Sequence, residues 1–453
     1  MIKELDLSKM SRILVVNASS GPGKLAGQVM WGAWAVASYF KTAVKDADVR
    51  YLDENNEDDF RGKFEAAVSD RDTVGFSVTS MQIKYTLPLI KYVKEKFPHI
   101  RVLVGGAHPM LFPEQDYGPL VDAVISEELP KDKFLYEFLP ERVRQAYRTE
   151  RAQVITGFNC SFKCTFCVNS VRNCRYEPLP IEKICADIDY VVKEFSPKKI
   201  YFRDEDFFFD IEKARGVVAH LLELGGGFRW EATSRVTNFK PDKINDELLQ
   251  RMVRSGCVQV RFGVESGSQR TLNALRKGQT VAHVKNAVAQ CVKYGINASC
   301  SFIIGIPGET AEDREETYRL ISELHAMGPL VEILGPQVYR PYPGGKLFEE
   351  VKKYGLEFPS TFEEWSGFYD TNPTGSVFDA SPDYPWLSQE ENEFLPKVWE
   401  VAHYGLNWSC SVNPVKKAIG LWFKRLHWLP RRFGGPDLWL FMFLRKKLLK
   451  AGV

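Results

Sequence analysis

The sequence carries almost no net charge. Its 453 residues hold 60 Lys and Arg against 58 Asp and Glu, a formal +2. That balance offers no chain-wide attraction for nucleic acid, so none is expected as a partner. Long apolar runs are missing as well, since no uncharged stretch approaches the ~20 residues of a membrane-spanning helix. The opening MIKELDLSKMSRILVV lacks the basic end, apolar run and small-residue cleavage site of a secretory signal. A cytoplasmic chain with reduced thiols is therefore expected, which weighs against disulfides. Disorder is excluded by 44% hydrophobic and 13% aromatic content. Cysteine is scarce, nine in all, yet three crowd into GFNCSFKCTFCVN, residues 157–169. The other six, Cys174, Cys185, Cys257, Cys291, Cys300 and Cys410, are scattered and read as small buried hydrophobes.

What is present is α/β alternation in a chain long enough for two or three domains. RILVVN (12–17), VRYL (49–52), TVGFSV (73–78), RVLVGG (101–106) and DAVIS (122–126) read as strands, with helical patterns over 25–40, 57–69 and 81–97. Runs apolar throughout point to strands buried on both faces of a parallel, doubly wound sheet over residues 1–127. Ligands of such sheets sit at the carboxyl ends of the strands. Residues 128–152, charged and proline-punctuated, read as a linker. The alternation restarts with AQVITGF (152–158), KIYFRD (199–204), FRWEAT (228–233), VQVRFGV (258–264), NASCSFIIG (297–305) and VEILGPQVY (331–339). Six βα units predict a partial (β/α)6 barrel over 153–345, with chemistry at the C-terminal ends of its strands. A mostly helical region, 346–453, follows, with a turn-rich stretch at 369–386 and a basic tail.

Cys160, Cys164 and Cys167 follow the first barrel strand, where that rule puts a site. Three thiolates from one loop can converge on a metal. Structural zinc normally takes four protein ligands, and a fourth at short spacing is missing. A [4Fe-4S] cluster with one iron left open fits the count. Spacing alone leaves the cluster, zinc and coincidence standing.

The motif also resembles the radical S-adenosylmethionine (SAM) superfamily, whose signature is C-x3-C-x-aromatic-C, with Phe166 at the aromatic position. YFRDEDFFFD (201–210) is similar to the acidic second-strand motif that holds the SAM amino group, and offers Asp204, Glu205 and Asp206. WEATSRV (230–236) resembles the third-strand motif whose arginine, Arg235 here, faces the SAM carboxylate. RFGVESGS (261–268) resembles the fourth-strand motif, with Glu265 and Ser266 near ribose and carboxylate. SFIIGIPGET (301–310) resembles the segment that packs on adenine, with Ser301 and Gly305. The resemblance implies that the open iron chelates SAM and that an electron cleaves the sulfonium. The 5′-deoxyadenosyl radical so formed abstracts hydrogen from an unactivated carbon. It further implies a reducing partner such as flavodoxin or ferredoxin. SAM is a zwitterion with an added sulfonium charge, so acceptors, a bidentate cation and an apolar slot are the groups it needs.

Residues 72–115, closing on GGAHPMLFPEQ, and VDAVISEE (121–128) resemble the cobalamin-binding domain found ahead of many radical SAM domains. The resemblance places the corrin against Ser77 and Thr79 and the Gly105-Gly106 loop. The Asp-x-His-x-x-Gly motif that supplies an axial histidine is absent, and His108 is not expected to be a ligand. The leading expectation is a cobalamin-dependent methyltransferase of a biosynthetic pathway. Its competitor is a radical dehydratase, cyclase or rearrangement enzyme, for example on an aminoglycoside-like diol, whose first domain is structural. A non-catalytic cobalamin-binding module is the third reading. Tyr339, Arg340 and Tyr342, near the sixth strand, are candidates to line the pocket of a small-molecule or lipid-linked substrate. The tail over 416–450 holds ten Lys and Arg against one acid, Asp437, interleaved with Trp, Phe and Leu. It reads either as an amphipathic helix packed on the barrel or as one lying on the inner face of an anionic membrane.

Overall fold

The computed structural model describes residues 7–19, 26–130, 134–170, 175–225, 227–368 and 384–442. The first five strands are β1 (Arg12–Asn17), β2 (Asp48–Asp53), β3 (Thr73–Ser77), β4 (Arg101–Gly105) and β5 (Ala123–Ile125). They form one parallel sheet in the order β2-β1-β3-β4-β5. Ile13, Leu14, Val15 and Val16 are all buried, as an apolar run covered on both faces requires. The first helix is Trp31–Ala43, starting later than the helical pattern at residue 25. Helices Phe60–Val68 and Ile83–Lys96 lie within their expected spans.

The second sheet is built from β6 (Arg151–Val154), β9 (Lys199–Phe202), β10 (Arg229–Ser234), β11 (Cys257–Glu265), β12 (Asn297–Ile304) and β13 (Val331–Val338). Its order is the chain order, all parallel, with β6 and β13 at the edges. This is the expected partial barrel of six βα units. Two short strands, β7 (Gly157–Phe158) and β8 (Glu177–Pro178), pair antiparallel. They clamp the two ends of the loop that carries the cysteine trio.

The linker expected over 128–152 is corrected by the structure. Helix Glu141–Thr149 lies within it, and Val143 and Tyr147 are fully buried in the barrel's core cluster. Their i, i+4 spacing puts both on one face, while Glu141, Arg142 and Arg148 take the other. Composition shows only the second face. Two tryptophans bind the first sheet's helix to this segment and to the barrel. Trp31 Nε1 donates to Gln153 Oε1 at 3.1 Å, and the buried Trp34 donates to the carbonyl of Leu135 at 2.8 Å. Beyond the barrel the chain returns to the first domain, whose core includes Phe348, Phe362 and Trp365. The C-terminal region carries helices Gln389–Ala402 and Pro414–Phe423. Of the turn-rich stretch, 369–383 lies outside the described residues.

Candidate active site

The cysteine loop is held from two sides. Thr165 N donates to the carbonyl of Leu275, and Leu347 N donates to that of Thr165. Gly345 lies so close that a Cβ on it would sit 2.4 Å from the Thr165 carbonyl oxygen. Cys164 is buried, whereas Cys160 and Cys167 are half-buried. Burial pushes the Cys167 thiol up to about 11, and Glu205 and the other two cysteines add to the rise. Burial also raises Cys160. Thiols so placed ionise when a cation takes the proton's place. Among the described residues no group of three His, Cys, Asp or Glu is set to hold a single metal ion. Cluster thiolates each bind a different iron, so they need a wider spacing than ligands of one ion. Cys257, Cys291 and Cys300 are buried, as expected, but Cys185 is half-buried and Cys410 exposed; Cys174 lies outside the described residues.

Arg235 directly follows β10 and points at the loop. Its Nη1 lies 3.6 Å from Cys164 Sγ, its guanidinium sits 3.8 Å over the Phe162 ring, and Nη2 donates to the Lys277 carbonyl. Its buried Nε has no partner. Glu265 ends β11 in the left-handed region, at φ +68, a conformation non-glycine residues adopt at a cost that clusters at functional sites. Its Oε1 meets Lys277 Nζ at 2.7 Å, with both side chains almost fully buried. Lys277 also stands 5.6 Å from the Phe166 ring. Nothing in its surroundings, RKGQT, marks Lys277 in the sequence.

The structure separates the three acids after β9. Asp204 is buried and accepts from Thr156 Oγ1 at 2.6 Å and Thr156 N at 3.1 Å, with Lys213 Nζ 3.4 Å away. Lys213 also donates to Tyr176 at 2.8 Å. Asp206, raised by burial, accepts twice from Asn238 Nδ2, at 2.9 and 3.1 Å. Both are occupied in holding strand ends together. Glu205 alone is exposed, and its charge reaches Cys160 and Cys167.

Other expected residues divide in the same way. Ser266 is fully buried and bonds Thr317 Oγ1 at 3.0 Å, away from the loop. Half-buried Ser301 donates to the Phe262 carbonyl at 3.3 Å. Gly305, at φ +70, turns the chain after β12 and accepts from Trp386 Nε1 at 2.9 Å. Tyr339 is corrected to a core residue, buried with Leu275, Ile306 and Val351. Arg340 is half-buried and Tyr342 exposed.

A cavity of about 250 Å3 opens at the C-terminal ends of β1, β3 and β4. All four residues expected there, Ser77, Thr79, Gly105 and Gly106, line it. Gly32 and Gly75 do too, and a Cβ on Gly75 would meet nothing within 4 Å. Thr79 is fixed by Gln82 Oε1 at 3.0 Å, and Gln82 Nε2 reaches Asn17 at 3.0 Å. His108 is buried beside this wall. Its Nδ1 bonds Ser80 at 2.8 Å and its Nε2 bonds Gln115 at 2.7 Å, so both ring nitrogens are engaged.

Comparison with known proteins agrees with this arrangement. A model of the Radical SAM superfamily matches residues 154–321, and one of the B12 binding domain matches 30–129. Residues 154–321 therefore form a radical SAM domain, and residues 30–129 a B12-binding-type domain ahead of it. An uncharacterized methyltransferase of Pyrococcus horikoshii is 27% identical to this chain over 327 residues, 62% of this chain and 69% of that one. An anaerobic magnesium-protoporphyrin IX monomethyl ester cyclase of Rubrivivax gelatinosus is 27% identical over 192 residues, 42% of this chain and a third, 33%, of its own length. The radical SAM methyltransferase TsrM of Kitasatospora setae shares the fold at TM-score 0.60 and 14% identity, over 89% of this chain and 90% of that one. The cobalamin-dependent radical SAM enzyme OxsB does so at TM-score 0.59 and 14% identity, over 97% and 76%. At such identities the likeness is one of fold.

The superfamily implies a [4Fe-4S] cluster and SAM, and the first domain implies cobalamin. Three thiols on one clamped loop, with the orphaned Nε of Arg235 beside them, suit the cluster and an anionic ligand. A glycine-walled cavity with open space at Gly75 suits a large ligand that approaches backbone.

Proposed function

We propose that this enzyme transfers a methyl group from SAM, by way of cobalamin, to an unactivated carbon of a small-molecule substrate. One observation carries the choice over a reaction that needs only a radical: the glycine-walled cavity, packed against the barrel through Trp31 and Trp34. The bound groups would supply an electron that cleaves SAM and a carrier for methyl. The chain's own side chains do the holding. Cys160, Cys164 and Cys167 anchor the cluster. Glu205 accepts from the SAM amino group, and Arg235 donates to its carboxylate. Glu265, oriented by Lys277, takes the ribose hydroxyls, and the turn at Gly305 backs the adenine. Asp204 and Asp206 position these groups through Thr156, Lys213 and Asn238. A flavodoxin- or ferredoxin-type donor supplies the electron, and Arg340 and Tyr342 flank the substrate.

The test does not need the substrate. Anaerobically reconstituted, reduced protein loaded with cobalamin is expected to form S-adenosylhomocysteine from SAM, and cobalamin-free protein is not. With the true substrate, S-adenosylhomocysteine and 5′-deoxyadenosine are expected in equal amounts. Deoxyadenosine alone from cobalamin-loaded protein would replace methyl transfer by dehydration or rearrangement.

A further inference from the structure

Large apolar side chains stand exposed at twelve described positions, and eight of them fall within residues 412–440. Helix Pro414–Phe423 buries Phe423 and Gly420 against the C-terminal region, with Gly420 in direct backbone contact with Ser409. Its opposite arc is left outside. Val415 is 66% exposed, and Leu421 and Trp422 share that arc with Lys417. The chain continues through exposed Arg425, Leu426 and Leu429 and turns at Gly434 and Gly435. Residues 436–442 are helical, with Trp439 at 65% and Leu440 at 49% exposure. The two helices form one packed unit, because Phe441 meets Phe423 at 4.7 Å and Tyr404 at 5.0 Å. Over the described residues of the tail, one face packs on the protein, as the first expected reading has it, and the other remains uncovered.

Apolar side chains exposed in such concentration mark an interaction surface. Three features identify its partner. The described cations of this segment, Lys416, Lys417, Lys424, Arg425, Arg431 and Arg432, outnumber its one acid, Asp437, and of them Arg431 also pairs with Glu315 at 3.3 Å. A second copy of the chain docked on this face would oppose cation to cation, which disfavours self-association. Tryptophan beside Lys and Arg, with leucine and valine outermost, is the composition of a helix lying in a lipid interface. Among the described residues no helix is long and apolar enough to cross a membrane, so the contact is with the surface.

We infer that the face formed by Val415, Leu421, Trp422, Leu429 and Trp439 docks on an anionic lipid bilayer, with Lys417 and Arg425 over the headgroups. This surface lies outside the barrel mouth and does not depend on the methyl-transfer reading. A lipid or lipid-linked substrate would then reach the enzyme at the membrane.

Flotation of the full-length, cluster-loaded protein tests it, using vesicles of phosphatidylcholine alone and with about a third phosphatidylglycerol. The protein is expected to float with the anionic vesicles, and to be released by high salt. The double variant Trp422→Ser/Trp439→Ser is expected to lose at least about tenfold in binding, as interfacial affinity scales with buried apolar area. Lys417→Glu/Arg425→Glu is expected to lose the preference for anionic vesicles. Unchanged iron content and SAM cleavage in both variants show that they fold. Equal flotation of wild type and the tryptophan variant would overturn the inference. So would a wild type that ignores vesicles but dimerises, or captures RNA, through the same residues.

Discussion

Arg235, Glu265 and Lys277 crowd buried charge into the barrel mouth. The cavity of the first domain, by contrast, is walled by Gly32, Gly75, Gly105 and Gly106, and among the described residues it meets charge only at Glu127 and Glu128. A small zwitterion is gripped by charges that strengthen one another where water is excluded. Those charges must be paired when the ligand is away, and the 2.7 Å contact of Glu265 with Lys277 does that. A large ligand bound along backbone needs absence of side chain instead. Substitutions should therefore act by different routes in the two regions: by loss of a charge or ligand at the mouth, by filled space at the cavity.

The largest effect is expected at the loop. Cys160→Ala, Cys164→Ala and Cys167→Ala should each abolish the reduced cluster's EPR signal and cut 5′-deoxyadenosine formation by at least about a thousandfold. Cys291→Ala, in the barrel core, should leave the signal in place and cost only packing. Cluster retained by any one of the three loop variants would break the assignment.

A sharper test sets Asp204 against its neighbour. Asp204→Asn leaves the Lys213 ammonium buried without its counter-charge and should destabilise the protein by about 2–3 kcal/mol in denaturant. Glu205→Gln removes an exposed carboxylate with no hydrogen-bond or ion-pair partner among the described residues. It should leave stability alone and weaken SAM binding by about ten- to a hundredfold, the worth of a charge-assisted hydrogen bond. Reversal of the two outcomes would exchange their roles.

In the cavity the same logic turns steric. Gly75→Val projects into open space, so folding should be unaffected while cobalamin retention falls about tenfold, measured by absorbance after gel filtration. Gly106→Ala differs, since its Cβ would lie 2.7 Å from Val78 N at a φ of +100. It should cost about 1–3 kcal/mol of stability. Equal cobalamin retention by Gly75→Val and wild type would show that the ligand does not enter here.

The two regions also differed in how far they could be read in advance. Strand positions, the chain-ordered barrel and the cavity wall were legible, because buried parallel strands read as apolar runs and glycines mark close backbone approach. The acids after β9 were legible as a group but not individually. Which of Asp204, Glu205 and Asp206 faces the loop depends on Thr156 and Asn238, distant in sequence and brought in by folding. Lys277 was invisible for the same reason, twelve residues past its partner in an ordinary turn. Helix Glu141–Thr149 was missed because its charged face dominated the composition.

The smallest net effect on the whole chain, the sum of two opposed contributions, separates the domains by pH. Burial lowers His108 to about 4 and raises Glu309 to about 7. Native His108 excludes a proton that the unfolded chain, at 6.5, takes up. Between pH 4 and 6.5 its contribution to stability therefore rises with pH, by up to about 3 kcal/mol. Glu309 runs the other way. Its Oε2 accepts from Gly305 N at 2.6 Å, its Oε1 has no partner, and Arg314 stands 3.8 Å off. The native carboxyl keeps its proton from pH 4.5 to 7 while the unfolded chain releases it, so its contribution falls with pH by a similar amount. Across pH 4.5 to 6.5 the slopes nearly cancel for the whole chain. Amide exchange should separate them: protection of β4 rises with pH and protection of β12 falls. His108→Gln should flatten the first and Glu309→Gln the second. Parallel slopes in the two strands of the wild-type protein would mean that at least one of the two buried groups does not titrate as its surroundings require.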